Sequence, residues 1–250
     1  VSGAEPLYLS CGFIIEEGLP LSDLEKIVKS MAGEAQKAGV QIVTGDTKVI
    51  DKGKCDKVFI NTTGIGELPN ERAHISTGEK IVAGDRIIVS GSIGDHGMAI
   101  MAKRNDLNLQ SNIQSDTACL NHMIKGVLDK NLDVKFMRDA TRGGLATVLS
   151  ELASQKNLGI EIGEDQVPVH ENVKGICELL GFDPMFVANE GKVVMVVGQN
   201  DAEEVLSVLR QNETGKEASI IGEITEDHPG KGWLHTSIGG KRIIDMLAGE

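Results

Sequence analysis

The stretch Gly84-Asp-Arg-Ile-Ile-Val-Ser-Gly-Ser-Ile-Gly-Asp-His-Gly97 determines how the second half of this chain is expected to fold. Its short apolar run, residues 87–89, is typical of a buried strand. A glycine-rich loop that carries Asp95 and His96 follows, and residues 98–103 favour a helix. A strand, a glycine-rich turn and a helix in this order direct backbone N–H groups toward an anion. Taken alone, the segment is equally compatible with an anion site that also moves a proton and with a tight turn bearing a solvated Asp–His pair.

Strands and helices alternate after this stretch. Hydrophobic periodicity predicts helices at 117–129, 143–155, 171–180 and 202–209, and strands at 134–137, 192–197, 219–224 and 233–236. About the first 70 residues hold predicted strands at 7–15, 41–43 and 57–65 and one helix. A capping box of Ser22 and Glu25 opens that helix, and Gly39 ends it.

The pattern predicts an α/β protein with an α+β N-terminal half. We expect an N-terminal domain at 1–75, a mixed α/β domain at 76–240 and the start of a tail at 241–250.

The composition narrows the classes of function. Thirty-seven acidic residues against 25 basic ones give a net charge of −12, which disfavours nucleic-acid binding through a basic surface. No run approaches the ~20 apolar residues of a membrane span and no signal peptide is visible, so we expect a cytoplasmic protein without membrane contact. The four cysteines lack C-x-x-C spacing, which argues against a zinc site or a disulfide framework.

Three further segments place charged residues beside glycines or at the end of a strand. The first, Thr44-Gly-Asp-Thr-Lys48, is predicted to be a polar turn. Asp46 there can bind Mg²⁺, and Lys48 can neutralise a phosphate or a carboxylate. The alternative is a β-turn held by an Asx interaction, and for this segment alone the alternative is favoured.

The second segment, Arg138-Asp-Ala-Thr-Arg-Gly-Gly144, precedes a predicted helix. Asp139 and Thr141 stand at the helix entrance, and Gly143 and Gly144 let the backbone approach a ligand closely. A simple N-cap is the alternative, but a cap needs only one such residue, so this run favours a functional site.

The third segment, Ala188-Asn-Glu-Gly-Lys192, precedes a strand rich in β-branched residues. Glu190 can serve there as a general base or a metal ligand. On the local sequence, however, an ordinary polar turn is favoured.

Together and in this order, the four segments resemble the superfamily of aminoimidazole ribonucleotide synthetase, selenophosphate synthetase, thiamine-phosphate kinase and formylglycinamidine synthetase. These ATP-using enzymes share a Gly-Asp-Thr-like turn and a later Asp-x-[Ser/Thr]-x-Gly-Gly-Leu helix start, which Asp139-Ala-Thr-Arg-Gly-Gly-Leu145 matches. Within the superfamily the chain is most similar to the HypE hydrogenase maturation factors. The similar stretches span the whole chain: Ser2-Gly-Ala-Glu-Pro6, Val43-Thr-Gly-Asp-Thr-Lys-Val49, Val89-Ser-Gly-Ser-Ile-Gly-Asp-His-Gly97, Ala188-Asn-Glu-Gly-Lys-Val-Val-Met-Val196, Ile220-Ile-Gly-Glu223 and Ile238-Gly-Gly-Lys-Arg242.

The resemblance implies a two-domain α/β fold whose N-terminal sheets form a barrel across a homodimer. It also implies an ATP-dependent carbamoyl dehydratase. Such proteins receive a carbamoyl group from HypF on a C-terminal cysteine and dehydrate it to a thiocyanate. The cyanide group then reaches the iron of [NiFe]-hydrogenase through the HypC–HypD scaffold. The family's N-terminal Gly-Asp-Asp segment and its terminal Pro-Arg-x-Cys tail do not occur between Val1 and Glu250. We therefore expect these 250 residues alone not to complete the reaction.

Under the same resemblance, ATP and Mg²⁺ are the expected cofactors. Asp46 and Asp139 are assigned to the metal, and Lys48 to the transferred phosphoryl group. Glu190 is the candidate base, and His96 is a second proton-transfer candidate. The other residues assigned to nucleotide binding are Thr47, Gly94, Asp95, Gly97, Thr141, Gly143 and Gly144. A different kinase or synthetase of the superfamily, or a non-catalytic docking fragment for the maturation partners, is the alternative.

Overall fold

The computed structural model describes residues 1–104 and 113–246, and the chain divides into two compact units. The small unit is Ala4–Asn70, and the large unit joins Val1–Gly3 to Glu71–Glu250. Within the described ranges, no helix combines the length and the apolar character that crossing a bilayer requires.

The small unit is a three-stranded sheet with one helix. Strand β1 (Glu5–Glu16) lies between β2 (Gln41–Ile50), to which it is parallel, and β3 (Val58–Glu67), to which it is antiparallel. Helix α1 (Leu21–Ala38) ends at Gly39, whose φ of 72° is a left-handed conformation that stops a helix. The predicted capping box is wrong, because the helix begins one residue before Ser22 and Pro20 occupies the cap position without a side-chain hydrogen bond.

Residues 44–48, predicted to be a turn, lie inside β2. All five residues are polar or glycine, yet the whole run pairs in parallel with β1. A Cβ on Gly45 would lie 2.1 Å from the carbonyl oxygen of Cys11, so the close approach of the two strands requires glycine there. The turn prediction fails because pairing with β1 outweighs a weak local preference.

The large unit is a seven-stranded sheet with helices. Its strands are β4 (Arg86–Val89), β5 (Val134–Asp139), β6 (Gly159–Gly163), β7 (Val193–Val197), β8 (Ser219–Thr225), β9 (Gly232–His235) and β10 (Lys241–Ile244), in the order β10-β9-β6-β8-β4-β7-β5. Neighbouring strands are antiparallel except β6 and β9. The helices are α2 (Asp95–Arg104), α3 (Asn121–Leu128), α4 (Gly144–Lys156), α5 (Glu171–Leu180) and α6 (Ala202–Arg210).

Two strands of this sheet were not expected from the sequence. Strand β6 lies between two predicted helices, and its five residues include the polar Glu161. Residues 241–244, placed at the start of a tail, form the edge strand β10, which is exposed at three of its four positions. Strand β6 pairs with β8 and β9, which are distant in sequence, and β10 pairs with the neighbouring β9 but is mostly exposed, so local hydrophobic periodicity reveals neither strand.

Two hydrophobic cores form because side chains alternate along the central strands. Ile87 and Val89 of β4 join the core that includes α4, whereas Ile88 joins the core that includes α3 and α6. Strand β7 is buried along its whole length. A third, smaller cluster joins α2 to α5 through Met98 and Val173. The predicted mixed α/β character is confirmed.

Candidate functional site

Three of the four predicted segments meet at one end of the large sheet. Strands β4 and β5 end there, and β7, antiparallel to both, begins there: Val89 pairs with Val194, and Asp139 pairs with Val193. The N–H of Ser90 donates to the carbonyl oxygen of Val193, and the N–H of Val193 donates to Oγ of Ser90, both at 3.0 Å. The topology therefore brings together residues that are up to about 100 positions apart in sequence.

Asn189 connects these three segments. The residue is 1% exposed. Its Oδ1 accepts a hydrogen bond from the N–H of Gly94 at 2.8 Å, and its Nδ2 donates to the carbonyl oxygens of Ala140 and Val187 at 3.0 Å each. A buried amide that satisfies one donor and two acceptors holds the segments in a single arrangement.

Packing within the chain accounts for the glycines of the first segment. The N–H of Gly97 donates to the carbonyl oxygen of Ala188 at 3.1 Å, and that of Gly94 is bonded to Asn189. A Cβ on Gly94 would lie 2.9 Å from Cγ1 of Val173, and one on Gly97 would lie 2.4 Å from Cγ1 of Val187. These contacts favour the tight-turn alternative for the backbone of this segment.

Helix α2 begins at Asp95, so Asp95 and His96 lie in its first helical turn and not in the predicted loop. The N–H of Met98 donates to the carbonyl oxygen of Gly94 at 3.1 Å and closes that turn. An acidic residue is favourable at this position, because the first N–H groups of a helix carry partial positive charge.

Asp95 is buried and belongs to a chain of polar contacts. Its Oδ2 accepts from the hydroxyl of Ser92 at 2.7 Å, and its Oδ1 lies 2.8 Å from Nδ1 of His170. Nε2 of His170 lies 3.0 Å from Oε2 of Glu217. Hydrogen bonding to Asp95 is the main cause that raises the pKa of His170; desolvation opposes it, and Glu217 adds to it. The arrangement favours an imidazolium ion between two carboxylates.

The two predicted proton-transfer residues are linked through one short segment. Nδ1 of His96 lies 2.9 Å from Oγ of Ser115, and the N–H of Glu190 donates to Oδ1 of Asp116 at 3.0 Å. The side chain of Glu190 is exposed, and its carboxylate forms no hydrogen bond or ion pair with any residue that the structure describes. That carboxylate is available to an incoming group.

Asp116 and Lys192 form an almost completely buried ion pair. Nζ of Lys192 lies 3.2 Å from Oδ2 of Asp116, and the two side chains are 12% and 4% exposed. Oδ2 accepts no well-directed hydrogen bond, so the contact is electrostatic. Both residues line two cavities, of about 640 and 400 Å³.

Asp139 is the last residue of β5, and Thr141 lies in the loop between β5 and α4. The hydroxyl of Thr141 donates to Oδ2 of Asp139 at 2.6 Å, and neither side chain caps the helix. The cap position is Gly143, whose φ is 63°. A Cβ on Gly144 would lie 2.6 Å from the carbonyl oxygen of Met185, so this glycine serves packing inside the chain.

Asp46, Thr47 and Lys48 lie in the small unit, on the edge strand β2. Oδ1 of Asp46 accepts from the N–H of Thr47 at 2.8 Å, which realises a local Asx contact within a strand. Within the described ranges, no group of three or more His, Cys, Asp or Glu residues could hold a metal ion. A Mg²⁺ ion held partly by phosphates needs only one or two protein carboxylates, so a single carboxylate such as that of Asp46, or that of Asp139, is chemically suited to such an ion.

The sequence analysis gave no role to Asn189, Asp116, Lys192 or His170. Asn189 and Lys192 stand inside a predicted segment, and a charged residue directly before a fully apolar strand was a usable signal for Lys192. Asp116 and His170 stand in stretches without a recognisable motif. Only their contacts across the fold reveal them.

Two family models match the chain. Residues 1–68 match the N-terminal domain of AIR synthase related proteins, and residues 82–235 match the C-terminal domain of the same proteins. Among curated relatives, the carbamoyl dehydratase HypE of Cupriavidus necator is 47% identical over 250 residues, which cover 100% of this chain and 71% of the relative.

Two solved structures are similar over nearly the whole chain. HypE in complex with ATP superposes with a TM-score of 0.94 at 44% identity and covers 99% of this chain and 75% of that one. HypE in a HypE–HypF complex superposes with a TM-score of 0.92 at 47% identity and covers 98% and 79%.

Proposed function

This chain belongs to the HypE family of AIR synthase related proteins, and from that premise we propose that it is an ATP-dependent carbamoyl dehydratase. Its proposed product is a thiocyanate on the C-terminal cysteine of the complete protein, the source of the cyanide ligand on the iron of [NiFe]-hydrogenase. The observation that carries the proposal is the likeness at 47% identity over all 250 residues, the four segments included, to a protein named carbamoyl dehydratase.

The proposed reaction removes one water from a thiol-bound carboxamide. The carboxamide oxygen attacks the γ-phosphorus of ATP, ADP leaves, and the oxygen becomes part of a phosphate leaving group. Departure of that phosphate with the loss of both N–H protons leaves a nitrile on sulfur. The products are therefore thiocyanate, ADP and inorganic phosphate.

Glu190 is the proposed base for the N–H protons. Its carboxylate is exposed and unpaired among the described residues, while its backbone N–H is fixed by Asp116. A positioned general base contributes about 100- to 10,000-fold to a proton transfer. His96 is the second proton-transfer candidate, with Nδ1 engaged by Ser115.

The proposed nucleotide contacts are described unit by unit. On the small unit, Lys48 would neutralise the transferred phosphoryl group and Asp46 is a proposed Mg²⁺ ligand; on the large unit, Asp139 is a proposed Mg²⁺ ligand. Each of the two carboxylates has one oxygen bonded inside the chain, to Thr47 and Thr141 respectively, and the other oxygen without such a partner among the described residues. A bound Mg²⁺ ion neutralises phosphate charge.

The other residues assigned to nucleotide binding are proposed to act by shaping the backbone around the site. The N–H groups of Gly94 and Gly97 and the carboxylate of Asp95 have partners inside the chain, and Gly143 and Gly144 both have a φ of 63° at the start of α4.

A homodimer through the N-terminal sheets, with a barrel shared across it, is proposed as the assembly. Exposed apolar side chains on the small unit's strands support an interaction surface; they include Tyr8, Ile14, Val43, Val49, Phe59, Ile60 and Ile65. HypF and the HypC–HypD scaffold are the proposed partners, and the similar chain in a HypE–HypF complex supports the first. Sedimentation as a monomer at micromolar concentration would count against the dimer.

Mass spectrometry of the complete gene product tests the proposed reaction. With HypF, a C-terminal cysteine should gain the mass of a carbamoyl group, and on addition of ATP it should lose the mass of one water. Glu190→Gln should bind ATP and accept the carbamoyl group but dehydrate it at least about 100-fold more slowly.

Two results would contradict parts of the proposal. Dehydration by Glu190→Gln at the wild-type rate would remove Glu190 from the role of base. A protein that never acquires the carbamoyl group but phosphorylates or ligates a small molecule would instead support another ATP-dependent kinase or synthetase of the superfamily.

A further inference from the structure

The Ser115–Thr117 segment contacts both residues that are proposed to move protons. Oγ of Ser115 lies 2.9 Å from Nδ1 of His96 and 2.7 Å from Oγ1 of Thr117. The next residue, Asp116, accepts the N–H of Glu190 at 3.0 Å. One short stretch of chain therefore bonds to His96 and to Glu190, although neither motif nor periodicity marks it.

We infer that Asp116 is the positioning residue for Glu190, an inference that rests on the proposed function because it takes Glu190 as the base. Asp116 engages three consecutive residues. Its Oδ1 accepts from Glu190, its Oδ2 pairs with Lys192, and its carbonyl oxygen packs so closely on Gly191 that a Cβ there would lie 1.8 Å away. The backbone that carries Glu190 is fixed from one side by a single residue.

This fixation matters because the Glu190 carboxylate has no hydrogen bond or ion pair of its own among the described residues, so its position depends on the backbone that Asp116 holds. Asn189, the preceding residue, is buried and its side chain is fully hydrogen-bonded, so the exposed side chain of Glu190 extends from a rigid stretch of backbone. Misplacement of a catalytic group by about 1 Å can reduce a rate about 100-fold. Loss of the Asp116 contact should therefore slow the chemical step and leave ATP binding intact.

The fold contains a matched control for this test. One carboxylate oxygen of Asp85 accepts a hydrogen bond from the backbone N–H of Val82 at 2.8 Å, and the other accepts one from the buried Lys135 at 2.7 Å. The side chains of Asp85 and Lys135 are 3% and 11% exposed, close to the values for Asp116 and Lys192. Asp85 precedes β4, whereas the site lies beyond the other end of that strand.

The experiment compares Asp116→Ala, Asp116→Asn and Asp85→Ala in the complete, carbamoylated gene product with saturating ATP. Asp116→Ala should lower kcat for dehydration about 10- to 100-fold with an unchanged KM for ATP. Asp116→Asn keeps an oxygen that can accept the Glu190 N–H, so it should recover most of that loss. Asp85→Ala should keep kcat within about threefold, since it lies outside the site.

Amide hydrogen exchange gives a readout that does not need activity. The Glu190 N–H should exchange faster in Asp116→Ala than in wild type, and its exchange rate should be unchanged in Asp85→Ala. Equal kcat and equal exchange in the two alanine variants would overturn the inference, and so would Asp116→Asn as slow as Asp116→Ala. If the Glu190 N–H of wild type exchanges more slowly than that of Asp116→Ala but the protein never dehydrates the carbamoyl group, the proposed function fails while the hydrogen bond between Asp116 and Glu190 is supported.

Discussion

Replacement of Asn189 by alanine should destabilise the large unit by about 3–5 kcal/mol. The side chain makes three hydrogen bonds inside the protein, which together contribute about 2–3 kcal/mol net. The carbonyl oxygen of Ala140 keeps a second bond, from the backbone N–H of Asn189 at 3.2 Å. The buried N–H of Gly94 loses its partner, which adds about 1–2 kcal/mol.

Urea unfolding followed by tryptophan fluorescence measures this loss. Trp233 is the one tryptophan of the chain and lies in β9 of the large unit, so its signal follows that unit even when the two units unfold separately. With a denaturant slope of about 2 kcal/mol per molar, the midpoint should fall by about 1.5–2.5 M urea.

Asn212→Ala is the matched control, because Asn212 donates one side-chain hydrogen bond, to the carbonyl oxygen of Val208 at 3.1 Å. It should cost about 1 kcal/mol. If Asn189→Ala costs no more than this control, the three hydrogen bonds do not hold the segments together, and the reasoning that places Asn189 at the centre of the site is refuted.

Two further predictions concern His170 and the glycines. Because Asp95 raises the pKa of His170 in the folded state, the contribution of His170 to stability is present below the unfolded-state pKa of about 6.5 and is lost as pH rises through the folded-state pKa. The difference in urea midpoint between wild type and His170→Gln should therefore decrease over that pH range, and a constant difference would contradict this. Gly144→Ala should destabilise the protein by about 2–4 kcal/mol, because the φ of Gly144 is 63° and the new Cβ would lie 2.6 Å from a carbonyl oxygen. Gly175→Ala, inside α5, should stabilise the protein by about 0.5–1 kcal/mol, because no atom lies within 4 Å of the new Cβ. Shifts of the melting temperature with the same sign in both variants would refute the packing argument.

Elements with a strong local signal were predictable from the sequence. Helix α5 occupies the predicted residues, because its apolar face and its terminal Gly181 are both local features. Strand β7 followed from a run of five apolar residues. Strand β6 was missed because pairing on both sides, with β8 and β9, sustains a strand that is too short to show alternation.

The candidate site was predictable as a set of segments but not as a set of contacts. The local sequence of Gly94 and Gly97 is equally compatible with an anion loop and with a tight turn, and in the structure their N–H groups bond to Asn189 and Ala188. Glycine is equally suited to approach a ligand and to approach another part of its own chain. Which of the two occurs depends on strand order, and strand order is set by contacts between residues far apart in sequence.

The two buried ion pairs at the ends of β4 require different explanations. Burial of an ion pair costs desolvation that its attraction barely repays, so such a pair is weak evidence of a device for stability. The pair of Asp85 and Lys135 lies 2.7 Å apart and belongs to no proposed site. The pair of Asp116 and Lys192 is longer, at 3.2 Å, lacks a well-directed hydrogen bond, and lines two cavities. A contact that is poorly optimised for stability but adjacent to an exposed glutamate is better explained by what it holds in place than by the energy it contributes.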